Sequence, residues 1–211
     1  MSLHLILGCM FSGKTTEIIR LVRRNRSLYP DAPEKIVTLN YYSDVRYTDG
    51  DNKSGEHEMM THNLEGEKAV PLEFLLPHIK TKEYQEASII AINEAQFFTD
   101  LVEYCKIALS HNKRLVVGGL DGDYRQQPFG EILNLVPLAD KITRLHAFCT
   151  VCRDGTPAYF TQRTIDSQVQ KLIGGAESYR PVCRTHLYCV EDPSTLDRPN
   201  LFGKHQVEKD V

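Results

Sequence analysis

An α/β fold around a parallel sheet is predicted by three features of the chain. Short runs rich in Ile, Val and Leu recur, amphipathic segments separate them, and a glycine-bounded turn follows the first run. Residues 3–7 (Leu-His-Leu-Ile-Leu) make that first strand, and are far too few to span a bilayer. Residues 16–28 follow as a helix, with Ile18, Ile19, Leu21 and Val22 beside Arg20, Arg23, Arg24 and Arg26. Residues 35–39, 88–92 and 114–118 read as buried parallel strands, and 97–112 as the helix after the third strand. Right-handed crossovers between such strands put the turn after the first one at the carboxyl edge of the sheet. Residues 49–66, polar and glycine-containing, read as a flexible loop, and 191–211, with Pro193, Pro199 and many charges, as a mobile tail.

The turn itself is Gly8-Cys9-Met10-Phe11-Ser12-Gly13-Lys14-Thr15, a complete G-x-x-x-x-G-K-[ST] loop between a strand and a helix. Gly8 and Gly13 let the backbone turn its N–H groups toward phosphate oxygens, and the helix behind presents its positive end. Lys14 then reaches the β- and γ-phosphates and Thr15 ligates Mg²⁺. The chain therefore reads as a nucleoside triphosphate handler with a P-loop NTPase-type sheet.

Bulk properties narrow the partners. The chain has 211 residues, enough for one substantial core and a small appendage. With 25 Lys and Arg against 28 Asp and Glu, a net charge of −3 gives no field that would gather nucleic acid or an anionic membrane. The arginines of 16–28 read as a solvated helix face, since no basic cluster elsewhere joins them. The Met1-Ser2-Leu3-His4 start lacks a basic n-region and a cleavage pattern, so a soluble, cytoplasmic protein is expected. In a reducing compartment the six cysteines are read for metal ligation before disulfides.

Two knuckles meet that reading: Cys149-Thr-Val-Cys152 and Cys183-Arg-Thr-His186, separated by residues 153–182. Four such ligands complete a tetrahedron with no open position, as in structural zinc, and would staple the segment between them. Cys189 and His146 are nearby substitutes for His186. Cys9 and Cys105 have no comparable partner in sequence, and Cys9 is assigned no side-chain role.

The acidic strand end expected beside a phosphate loop is Asn93-Glu94-Ala95-Gln96-Phe97-Phe98, after the run Ile89-Ile90-Ala91-Ile92. Asn93 offers an amide oxygen without charge, leaving Glu94 as the carboxylate of this run. Glu94 is either a base for an attacking hydroxyl or a group that positions Mg²⁺ or water. After the fourth strand, the segment 119–130 carries Tyr124 and Phe129, which either wall in a base or sugar or simply pack.

Taken in order, Gly8 to Thr15, Asp44-Val45-Arg46-Tyr47, Asn93 to Phe98, Leu120-Asp121-Gly122, Pro128-Phe129-Gly130, the paired knuckles and Ile173-Gly174-Gly175 before Tyr179 resemble the zinc-containing, type II thymidine kinases. The resemblance runs from Leu3 to about Cys189. It implies a P-loop ATP-binding domain over 1–145, a zinc and lasso domain over 146–190, and the tail over 191–211. It implies ATP and Mg²⁺ on the loop from Gly8 to Thr15, with Asp44, Arg46, Asn93 and Gln96 near the phosphates, and Glu94 as the base for the thymidine 5′-hydroxyl. It further implies an acceptor pocket of Phe97, Tyr124, Phe129, Thr161 and Tyr179, closed by a lasso at Gln170, Lys171, Leu172, Ile173 and Gly174. Zinc on Cys149, Cys152, Cys183 and His186, inhibition by thymidine triphosphate, acceptance of deoxyuridine and a cytosolic homotetramer complete what it implies. Three positions depart from the family pattern: Cys9 where Pro is common, Asn93 where Asp is usual, and His186 where many members carry Cys.

Two other classes share the phosphate loop: a nucleic-acid-stimulated ATPase gripping a strand with its knuckles, and a non-catalytic nucleotide sensor. The charge balance opposes the first. Glu94 and the aromatic residues of 119–130 oppose the second.

Overall fold

Leu3, Leu5 and Leu7 give the first strand one wholly apolar face and Ile6 anchors the other, which decides where it lies. The structure is a computed structural model and describes residues 1–42, 58–60, 66–165, 169–170, 175 and 177–188. In it β1 (Ser2–Gly8) leads through the phosphate loop into α1 (Lys14–Arg26). The chain continues through β2 (Ile36–Tyr41), β3 (Glu58–Met60), β4 (Gly66–Lys68), β5 (Val70–Leu72), α2 (Lys82–Glu86) and β6 (Ile89–Ile92). It goes on through α3 (Leu101–Ser110), β7 (Arg114–Gly119) and β8 (Lys141–Leu145). Among the described residues six of these strands form one sheet in the order β5-β2-β6-β7-β1-β8, every neighbouring pair parallel.

The period of two along each strand sorts side chains into two cores. Leu3, Leu5 and Leu7 of β1 join Val37, Leu39, Ile90, Ile92, Leu115 and Val117 on the face covered by α3, through Leu101, Tyr104, Cys105 and Ala108. Ile6, Ile36, Ile89, Ala91 and Val116 face the other way, against Ile18, Ile19 and Val22 of α1. Burying each such aliphatic side chain contributes about 1.5–3 kcal/mol, so the stripe at 18, 19 and 22 holds α1 to the sheet. The arginines on its other side are taken up locally. Arg20 pairs with Glu17 at 2.6 Å, and Arg26 with the buried carboxylate of Glu67 at 2.5 Å. The Arg20 pair is exposed and adds little more than order, as a solvated face implies, whereas Arg26 serves to neutralise a buried carboxylate.

Three sequence expectations change. The helix read over 97–112 is shorter, because Glu94 takes a left-handed conformation, Ala95–Phe97 make a single 3-10 turn, and α3 starts only after Asp100. The edge strands β5 and β8 lacked the long apolar run used to find strands. Pro71 within β5 suits a strand with one unpaired side, and most of β8 is exposed. Within the loop read over 49–66, Glu58–Met60 pairs antiparallel with Gly66–Lys68 as a short ladder. Residues 43–57 and 61–65 and the tail read over 191–211 lie outside the described residues.

Beyond β8 the chain builds two small antiparallel pairs. These are β9 (Ala147–Phe148) with β10 (Pro157–Ala158), and β11 (Phe160–Arg163) with β12 (Tyr179–Val182), followed by α4 (Arg184–Tyr188). Their core of Ala147, Cys149, Ala158, Val182 and Cys183 also takes in Cys9 from the phosphate loop. Among the described residues, no helix is long and apolar enough to cross a membrane.

Candidate active site

The phosphate loop leaves the carboxyl end of β1, and Gly13 carries the left-handed turn that starts α1. Lys14 Nζ donates to the Cys9 carbonyl at 2.7 Å, and Ser12 Oγ to the same oxygen at 2.8 Å, so Lys14 and the loop backbone share one small cradle. Phe11 sits at positive φ and packs between the metal module's core and a cluster of Met10, Leu120 and Tyr179. Cys9 does more than its sequence reading allowed: it is buried, and Sγ donates to the Ala158 carbonyl at 3.3 Å. The Met10 N–H donates to Thr161 Oγ1 at 3.0 Å. The loop that faces phosphates is thus bonded directly to β10 and β11.

The end of β6 reaches the same place. Thr15 Oγ1 donates to Asn93 Oδ1 at 3.4 Å, and Asn93 Nδ2 donates to Asn40 Oδ1 at 3.0 Å. Asn93 is fully used as an amide: one end accepts, the other donates, and a carboxylate could not do both. Next to it Glu94 holds φ 51° and ψ 39°. A left-handed conformation costs a non-glycine residue about 1–3 kcal/mol, and persists only where neighbours over-determine it. Gln96 is that neighbour. Its Nε2 donates to Glu94 Oε2 at 2.6 Å, and its Oε1 accepts the Leu120 N–H at 3.0 Å. Gln96 is buried, and a Cβ on Gly119 or Gly130 would run into its side-chain or backbone oxygen, which is why both positions are glycine. Gln96, expected near the phosphates, bonds the Glu94 carboxylate and the Leu120 backbone together.

Apolar side chains flank this carboxylate. Phe97 and Phe129 meet edge to face at 5.4 Å, and Tyr41 lies 5.1 Å from Phe97. Met10, Leu120 and buried Tyr179 continue the surface. Nothing in the local sequence of Met10 and Leu120 foretells their packing against Tyr179. Tyr124 faces the guanidinium of Arg163, whose carbon lies 3.8 Å from the ring centroid. Gln170 donates through Nε2 to Asp123 Oδ2 at 2.7 Å, on the loop that carries Tyr124. Asp44, Arg46, Lys171, Leu172, Ile173 and Gly174 lie outside the described residues.

The two knuckles converge. Cys149, Cys152, Cys183 and His186 offer ligand atoms that all lie within 4.8 Å of one another. Nδ1 of His186 sits 3.3 Å from the sulfurs of Cys152 and Cys183 and 3.6 Å from that of Cys149; Cys152 and Cys183 are 3.8 Å apart. Ligands about 2.3 Å from a tetrahedral centre are spaced by about 3.8 Å, so this donor set fits zinc. Burial opposes ionisation of Cys149, yet the backbone N–H groups of Cys152, Cys183 and Val151 bring its thiol down to about 6, ready for a cation. His146 is not a ligand; its Nδ1 rests on the Ala147 carbonyl and its ring on Phe148 and Tyr159. Cys189 lies outside the described residues. Cys105 lies on the buried face of α3, where burial raises its thiol to about 12 and leaves it inert.

A family model described as thymidine kinase matches residues 1–187. The chain belongs to the thymidine kinase family. Within that family it is similar to the thymidine kinase of Yaba monkey tumor virus, 40% identical over 190 residues that make up 90% of this chain and 96% of the viral one. It is also similar to thymidine kinase 1 of Dictyostelium discoideum, 33% identical over 203 residues, or 96% and 85% of the two chains. The human cytosolic thymidine kinase is 37% identical over 182 residues, 86% of this chain and 71% of that protein. The family match spans both the P-loop sheet and the Cys and His cluster.

Proposed function

We propose that this member of the family transfers the γ-phosphoryl group of ATP to the 5′-hydroxyl of thymidine, giving ADP and the nucleoside monophosphate, with deoxyuridine as a related acceptor. The observation that carries the reading is the Glu94 carboxylate. Gln96 holds it at 2.6 Å, one residue from the Asn93 contact to Thr15 and beside the apolar wall of Phe97 and Phe129. A base so placed serves an alcohol acceptor: it takes the hydroxyl proton as the oxygen bonds to phosphorus and the bond to the ADP oxygen breaks.

The roles divide as follows. Backbone N–H groups of the loop from Gly8 to Thr15 bind the phosphates, with Lys14 neutralising charge that builds as the phosphoryl group moves. Mg²⁺, when bound, neutralises and orders the phosphate oxygens; Thr15 would hold it, with Asn93 beside Thr15. Asp44 and Arg46 complete the phosphate side. Phe97, Phe129, Tyr124, Thr161 and Tyr179 bind and orient the nucleoside, with the lasso residues Gln170 to Gly174 over it. Zinc on the three cysteines and His186 would staple the small domain, taken as 146–190, on itself, and Cys9 and Met10 tie that domain to the ATP-binding domain, taken as 1–145. A cytoplasmic homotetramer, restrained by thymidine triphosphate spanning both pockets, is the assembly this reading carries. With a net charge of −3, neither nucleic acid nor membrane is among its partners.

ADP release measured with ATP alone, with ATP and thymidine, and with ATP and single-stranded DNA separates the readings. Release that needs thymidine is expected. Release driven by DNA would make the chain a nucleic-acid-stimulated ATPase, and none in any arm would make it a nucleotide sensor.

A further inference from the structure

Arg163 ends β11 directly opposite Tyr179 of β12 in the antiparallel ladder. One guanidinium nitrogen donates to the Val169 carbonyl at 2.7 Å. The other donates to the Gln170 carbonyl at 3.2 Å and to the Tyr179 hydroxyl at 2.8 Å. Its carbon stands 3.8 Å from the Tyr124 ring centroid and 5.2 Å from that of Tyr179, so one planar cation serves two aromatic rings and three oxygens. Gln170 extends the tie to Asp123 Oδ2, and buried Asp123 uses its other oxygen for the N–H groups of Arg125 and Gln127, which follow Tyr124 in the chain. The loop at 121–127, residues 169–170 and β12 thereby meet at one side chain.

We infer that Arg163 is a positioning residue for the phosphoryl acceptor: it holds the Tyr124 ring and the Tyr179 hydroxyl as preformed walls, and so sets nucleoside affinity without entering the transfer step. This rests on the reading of Tyr124 and Tyr179 as nucleoside-binding. Without the guanidinium, the Tyr124 ring loses its stacked cation and the Tyr179 hydroxyl and the 169–170 carbonyls lose their shared donor, so part of the ordering cost falls on acceptor binding. A lysine would cover one ring face but lacks the planar fork that reaches three oxygens together.

The test compares wild type, Arg163→Met and Arg163→Lys by steady-state kinetics in both substrates, together with zinc content. Arg163→Met is expected to raise the thymidine KM by roughly tenfold or more, while kcat at saturating thymidine, the ATP KM and the zinc content stay near wild type. Arg163→Lys should recover only part of that loss, and it supplies the comparison if the Met variant does not fold. A thymidine KM unchanged in the Met variant, or in the Lys variant where that alone folds, overturns the inference. So does a fall in kcat at constant KM, or a rise in both KM values with loss of zinc. Failure of the underlying reading looks different: wild-type ADP release would then be indifferent to thymidine.

Discussion

Glu94 is the residue at which chemistry and backbone geometry meet. A carboxylate on an unstrained strand end would have several rotamers; here the left-handed turn and the Gln96 amide leave it one direction. Glu94→Gln keeps the shape and removes the base. The expected result is a kcat lowered by about 10² to 10⁴, with thymidine and ATP affinities by calorimetry close to wild type. A near-normal kcat would remove Glu94 from the role. Asn93 illustrates the same economy: its buried amide joins Thr15 to Asn40, so the uncharged residue is a working link between the phosphate loop and β2.

At the scale of elements, the small antiparallel module works as an extension of the phosphate loop. Cys9 is part of its core, Thr161 of β11 accepts from Met10, and both contacts depend on β10 and β11 being held in place by the four-ligand cluster. Closing that cluster with a metal contributes folding free energy directly. One zinc per chain is therefore expected by metal analysis. Cys152→Ala should abolish it, lower the melting temperature, and raise the KM for thymidine by roughly tenfold or more through loss of the ordered pocket wall. A variant that loses zinc yet keeps wild-type kinetics would uncouple the module from the site.

Across the whole molecule, stability has its own titrating element far from the chemistry. His78 is buried against Tyr104, with Nδ1 2.9 Å from the Tyr104 hydroxyl, while its Nε2 has no hydrogen-bond partner among the described residues. Burial lowers its pKa to about 4 from 6.5, so the folded protein keeps it neutral where the unfolded chain protonates it. Its contribution is fully present above pH 6.5 and is lost as pH falls from there toward 4. By linkage that loss is at most ~3 kcal/mol in total, of which ~2 kcal/mol falls between pH 7 and pH 5. Urea denaturation at those two pH values should show the drop, and a His78→Gln variant should flatten it relative to wild type. Equal slopes in the two proteins would mean that other groups carry the acid sensitivity. Nearby, Lys113 donates to the carbonyls of Tyr84 and Ala87 at 2.8 and 2.6 Å, closing the end of α2 and tying it to the start of β7.

The phosphate loop, the central buried strands and the paired knuckles were legible from residue order alone. Each is a short-range pattern: turn, alternation and ligand spacing are completed within a few positions, and the chemistry needs those residue types there. Residues 58–60 and 66–68 were less legible, because so short a ladder leaves little periodicity to read. Strands β5 and β8 escaped for a related reason, since an edge strand half open to water needs no continuous apolar run. Tertiary structure alone decided that Gln96 ties Glu94 to the Leu120 backbone, that Cys9 belongs to the core of a module more than a hundred residues away in sequence (149 positions separate it from Ala158), and that Arg163 gathers Tyr124, Tyr179 and residues 169–170. What the sequence could not show is the contact between distant segments in each case, Gln96 with Leu120, Cys9 with Ala158 and Arg163 with Tyr124, and only the sheet order and the crossing of the chain bring such segments within reach.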